Sequence, residues 1–185
     1  MAKLVFSGAL GRESIEALSP YTKGLLTGVA EELGLERITV TSTIRSTRAQ
    51  AEAMYNNIAS GRYIRYRKAG QAVTDLCVRM LGKQEPREKT IEAMQALIEE
   101  LSEKGERVSR HCVSDEEYAK CNIVDIAKTM TYDQAIRLFR VLLDRECVTK
   151  IIQPITSSVK MEGLSFDSAE PAIHIEVNIP KQYQI

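Results

Sequence analysis

Apolar side chains fall along this chain at two alternating periods, 3.6 and 2, and the switches between them predict its elements. Ser19-Pro20 reads as an N-cap with proline at the first helical position, and Tyr21, Leu25, Val29 and Leu33 follow at helical spacing up to Gly34. Ile38 and Val40 alternate with Thr39 and Thr41, a strand that runs out near Ser42-Thr43. Thr47 and Gln50 stand at capping-box spacing ahead of a helix with Ala51, Met54, Tyr55 and Ile58 on its inner face and Ser60-Gly61 at its end. Val73, Leu76, Cys77, Met80 and Leu81 predict a short helix before Gly82. Pro86 opens a longer one, with Ile91, Met94, Leu97, Ile98 and Leu101 on one face and Gly105 as its stop. Thr131 and Gln134 cap a further helix carrying Ala135, Ile136, Phe139, Leu142 and Leu143. Residues 122–127, 148–152 and 172–179 read as strands.

Helices cluster early and strands pair late. That order predicts an α+β domain with a small antiparallel sheet and packed helices, not a βαβ repeat. There is no internal repeat, low-complexity tract or linker, and 185 residues suit a single domain over 1–185.

Composition narrows the function. Apolar residues make up 44%, enough for a core that needs no disulfide or metal to fold. Twenty-five basic and 25 acidic side chains cancel, and aromatics are only 5% with no Trp. Both facts count against a nucleic-acid partner or a sugar-stacking surface. The basic and aromatic stretch over 62–68 is the one place such a partner would grip, and an anionic polymer would suit it equally. No run approaches the roughly 18 apolar residues of a membrane span. The first 11 residues hold one Lys and no long apolar run, which does not fit a secretory signal. The expectation is therefore a chain made in the cytoplasm with no membrane partner. Its four cysteines show no CxxC spacing and read as buried or free thiols.

The candidate chemistry is confined by count, because the chain has two histidines, His111 and His174. In the last strand His174 and Glu176 share a face while Ile173, Ile175 and Val177 supply the core. Asp125 interrupts an apolar run, where a charge is costly unless paired, hydrogen-bonded or metal-bound. His111, Asp125 and His174 together form a His/Asp/His set of the kind that offers zinc three protein ligands and leaves one position open.

The order of these motifs resembles the zinc D-Ala-D-Ala carboxypeptidase and L-alanyl-D-glutamate endopeptidase family, which shares its fold with the hedgehog signalling domain. The resemblance rests on Ser42-Thr43-Ile44-Arg45 with Gln50, on Ser109-Arg110-His111 with Val124-Asp125-Ile126, and on Glu170-Pro171-Ala172-Ile173-His174-Ile175-Glu176. It covers roughly 18–60 and 105–178. Two features depart from the family pattern. Thirteen residues separate His111 from Asp125 where the family has six, which implies an inserted loop at 114–120. Glu176 stands where many members carry a second His.

The resemblance implies a Zn2+ ion on His111, Asp125 and His174, with Glu176 as the alternative third ligand. It implies a carboxylate base, Glu170 or Glu176, and Arg45 and Ser109 as substrate-binding residues. Residues 62–104 match no family motif and read as a helical elaboration. The implied activity is hydrolysis of peptide bonds in peptidoglycan stem peptides, in a phage-type enzyme that is virion-associated or released onto the cell wall. The alternative is a non-catalytic virion or binding module that keeps the fold.

Overall fold

A computed structural model describes residues 2–8, 10–62, 64, 66–168 and 170–184. Tyr63 and Arg65, within the basic and aromatic stretch, lie outside them. In chain order the elements are β1 (Lys3–Phe6), α1 (Arg12–Ala17), α2 (Pro20–Glu32), β2 (Arg37–Ser42), α3 (Thr47–Ala59), α4 (Lys68–Gly82), α5 (Arg87–Glu103), α6 (Asp115–Lys120), β3 (Cys121–Ile126), α7 (Tyr132–Leu143), β4 (Val148–Gln153), β5 (Leu164–Phe166) and β6 (Ile173–Asn178). A single 3-10 turn follows at Lys181–Tyr183. Among the described residues this is an α+β fold with seven helices and one six-stranded mixed sheet. No helix among them is long and apolar enough to cross a membrane. The chain divides into two compact units, Met1–Ile44 with Ser114–Ile185, and Arg45–Val113.

The first unit holds the whole sheet, in the order β1-β2-β3-β6-β4-β5. The four inner strands pair antiparallel, but β1 lies parallel to β2 and β5 parallel to β4. The sheet is thus larger than expected and mixed rather than antiparallel. The two additional strands are four and three residues long, too short to display a period-2 pattern. Val40, Ile126, Ile173, Ile175 and Val177 bury one face of the sheet in a core shared with α2 and α7.

The buried stripe of α2 is Thr22, Leu26, Val29 and Ala30, rotated from the expected Tyr21-Leu25-Val29-Leu33. A polar anchor explains the rotation. Buried Asn122 on β3 accepts hydrogen bonds from the Ser19 backbone N–H (3.0 Å) and the Thr22 hydroxyl (2.7 Å), so the helix start is pinned through Thr22. The expected Thr131–Gln134 capping box is present at α7.

The second unit is helical. Ala51, Met54, Ile58, Val73, Cys77, Ile91, Met94 and Ile98 interlock α3, α4 and α5 in one apolar core. The N-cap of α3 is Ser46, whose hydroxyl accepts from the Ala49 N–H. Thr47, expected in that role, instead donates to Glu99 at 2.8 Å. The helix predicted after 70 starts earlier, at Lys68, and runs through Gly82. Its first turn makes a close approach that only glycine permits, since a Cβ on Gly70 would sit 2.6 Å from Tyr66 Cβ.

Candidate metal centre

Register across the sheet aligns the polar residues of the first unit. Asp125 on β3 pairs with His174 on β6, and His174 pairs with Ile152 on β4. Directly paired residues share a face, so Asp125 and His174 project together, away from the face that Val124, Ile126, Ile173 and Ile175 bury.

Ser42 on β2 is the partner of Asp125 on the other side. Alternation from Ile38 and Val40 alone would turn Ser42 into the apolar core. A bulge prevents this. Val40 pairs with Ile126 and Ser42 with Asp125, so β2 spends two steps where β3 spends one. The extra residue, Thr41, donates its hydroxyl to the Asp125 carbonyl at 3.3 Å. Beyond it Ser42 falls on the face of its partner, which is how a bulge re-aims a side chain.

His174 is 3% exposed and contacts a carboxylate through each ring nitrogen. Nδ1 lies 3.0 Å from Asp125 Oδ1 and Nε2 lies 3.4 Å from Glu176 Oε1. Burial alone would lower its pKa, but hydrogen bonds and charge from Asp125 and Glu176 outweigh that and push it up to about 9. At neutral pH the ring is therefore an imidazolium that neutralises part of two carboxylates.

His111 sits in a short turn after α5. Its backbone N–H donates to Ser109 Oγ at 3.3 Å, the Cys112 N–H donates to the Ser109 carbonyl at 3.4 Å, and the Arg45 N–H donates to the His111 carbonyl at 2.9 Å.

His111, Asp125 and His174 each offer a ligand atom, and the three atoms lie within 4.8 Å of one another. They form a group that could hold a metal ion, and among the described residues no cysteine belongs to such a group. The donor set fits. Two donors of a tetrahedral zinc site stand about 3.3 Å apart. The Asp125–His174 pair at 3.0 Å is already near that separation, while the group as a whole must draw in.

The segment before Asp125 differs from expectation. Residues 115–120 form helix α6, not an inserted loop, with a full capping box between Ser114 and Glu117. Buried Tyr118 ties α6 to the strand that carries Asp125, donating to the Ile123 carbonyl at 3.1 Å. The capping residues, three acids in the first turn and Lys120 in the last were the available signals.

The other expected site residues are placed as follows. Glu176 is on the strand face of His174 and in contact with it. Glu170 is half-buried four residues before His174, its N–H donating to the Asp167 carbonyl at 3.2 Å. Arg45 is half-buried, with Nη1 3.4 Å from the side-chain oxygen of buried Gln50. Ser109 shapes the His111 turn. Ser42, which the family resemblance implies as a site-lining residue, stands opposite Asp125 through a bulge that alternation does not reveal, while Ile152 in the same row was not anticipated. Searches of family models, curated proteins and solved structures give no match to this chain.

Proposed function

We propose that the protein is a zinc-dependent peptidase that hydrolyses peptide bonds of bacterial cell-wall stem peptides. The observation that supports this most is the gathering of both histidines in the chain with Asp125 in one buried donor group. His111, Asp125 and His174 would hold the ion. When bound, a divalent ion there supplies Lewis acidity, which polarises a carbonyl and acidifies water.

The chain's own residues divide the remaining work. Glu176 faces His174 Nε2 and would orient the ring through that contact, the role an outer carboxylate plays beside a liganding imidazole. That leaves Glu170 as the base. It would take the proton of the attacking water and deliver it to the amine as the carbon–nitrogen bond breaks. Arg45 would bind a substrate carboxylate through its planar donor fork, held in place by Gln50. Ser109 would act at the same end of the site while fixing the His111 turn.

Elemental analysis of the purified protein, joined to digestion of purified peptidoglycan with and without a chelator, tests this reading. The expected result is one zinc per chain and chelator-sensitive release of stem peptides, with both lost in His111→Ala. Cleavage that persists in His111→Ala, or a wild-type protein that takes up no metal, overturns it. Stoichiometric metal without turnover would favour the non-catalytic module instead.

A further inference from the structure

The Ser42 hydroxyl has no place in the mechanism above, yet its setting is unusual. Ser42 is 2% exposed, and its Oγ is the one buried side-chain polar atom among the described residues without a hydrogen-bond partner. Other buried polar side chains nearby are satisfied. Thr43 donates to the Ser14 carbonyl at 2.8 Å, and Asn122 bonds through both its oxygen and its nitrogen. A buried orphan hydroxyl reduces stability, and alanine would fill the same volume without that cost. The bulge at Thr41 is what turns this hydroxyl out of the apolar core and onto the face of Asp125.

We infer that Ser42 is a positioning residue for the metal centre, donating its hydroxyl proton to the Asp125 carboxylate when a divalent ion is held by Asp125 and His174. This rests on the metal-site reading and adds to it a specific outer partner. The argument is an exchange of donors. Asp125 Oδ1 is now 3.0 Å from His174 Nδ1, the ring atom on its side. An ion held by these two residues would need a ring lone pair, and if it were that of Nδ1, the atom on the Asp125 side, that nitrogen could no longer donate a proton to the carboxylate. Nε2–H is then directed at Glu176 Oε1, 3.4 Å away. Asp125 then gives up that contact, and its cross-strand neighbour on the same face carries a hydroxyl with no other partner. Liganding carboxylates are generally held by such hydrogen bonds, and their loss typically weakens metal binding about 10- to 100-fold.

The test compares wild type, Ser42→Ala and Ser42→Cys for zinc affinity, by competition with a chromophoric chelator, and for thermal midpoint after metal removal. Serine has no partner to lose in the stripped protein, so Ser42→Ala should leave that midpoint unchanged or raise it. It should weaken zinc binding at least about tenfold. Ser42→Cys, similar in size but a poor donor, should bind as weakly as the alanine variant and serves if alanine does not fold. Zinc affinity equal to wild type in either variant overturns the inference while leaving the metal site standing. So does a lower midpoint in the stripped alanine variant, which would mean a structural hydroxyl. Failure of the metal reading is distinct, since wild type itself would then bind no zinc.

Discussion

The two units bury their polar groups in different ways. In the helical unit, Thr74 and Thr90 are buried but donate to carbonyls one turn back in or at the start of their own helices, to Gly70 at 3.0 Å and Pro86 at 3.1 Å. These hydroxyls serve the backbone and ask nothing of a ligand. In the sheet unit the buried polar residues line up across strands: Ser42, Asp125 and His174, two of them ionisable and one without a partner. A hydroxyl bonded to its own helix is a packing solution, whereas a cross-strand row of acid, imidazole and orphan hydroxyl is poised for something else. The contrast sets the row of Ser42, Asp125 and His174 apart from ordinary packing.

That contrast can be broken by a change deep in the helical core, with stability and metal uptake measured separately. Met94 is fully buried in the helical core, and Met94→Ala should cost about 2–5 kcal/mol through the cavity it leaves. Chemical denaturation should report this loss while the folded variant still takes up the wild-type complement of zinc. A variant that is folded yet metal-free would show that the helical core does more than pack.

The pH response sharpens the sheet side. The His174 pKa is raised to about 9, above its ordinary 6.5, and coordination requires the neutral ring. Apparent zinc affinity should therefore fall about tenfold for each pH unit below 9 from this group alone, as protons compete with the ion. Stability of the stripped protein should run the other way. The raised pKa contributes stability in full below about 6.5 and loses it as pH climbs through 9. Chelator competition and thermal melts between pH 6 and 10 would reveal both slopes, and parallel slopes would contradict the pairing of His174 with its carboxylates. The smallest effect is local to the helices. Ser46→Ala removes the α3 N-cap and should cost about 1 kcal/mol with no change in metal content, measured by denaturation and elemental analysis.

Much of this was legible in the chain because the signals were local. Proline after Ser19, the Thr131–Gln134 box and the alternation from Ile173 to Val177 each write their element into a few neighbouring residues. His111, Asp125 and His174 stood out as ligands for a related reason. An acid inside an apolar run and two solitary histidines leave few places for chemistry to sit. What stayed hidden depends on partners distant in sequence. β1 and β5 are strands only because β2 and β4 lie beside them. The N-cap of α3 was misassigned by one residue because Ser46 and Thr47 are both good caps, and the Thr47 hydroxyl is claimed by Glu99. The bulge at Thr41 arises from the register of two strands, so nothing in the sequence of β2 alone announces that Ser42 changes sides.

Asp125 and His174 stand on β3 and β6, the two middle strands of six, each bonded to neighbours on both flanks. To shift either residue along its strand, two ladders must open at once. Fraying or strand addition at the rims, by contrast, reaches β1 and β5 first. Amide protons at positions 125 and 174 should accordingly rank among the slowest of this unit to exchange with solvent deuterium. The spacing between carboxylate and imidazole then survives disturbances that peel the margins of the sheet.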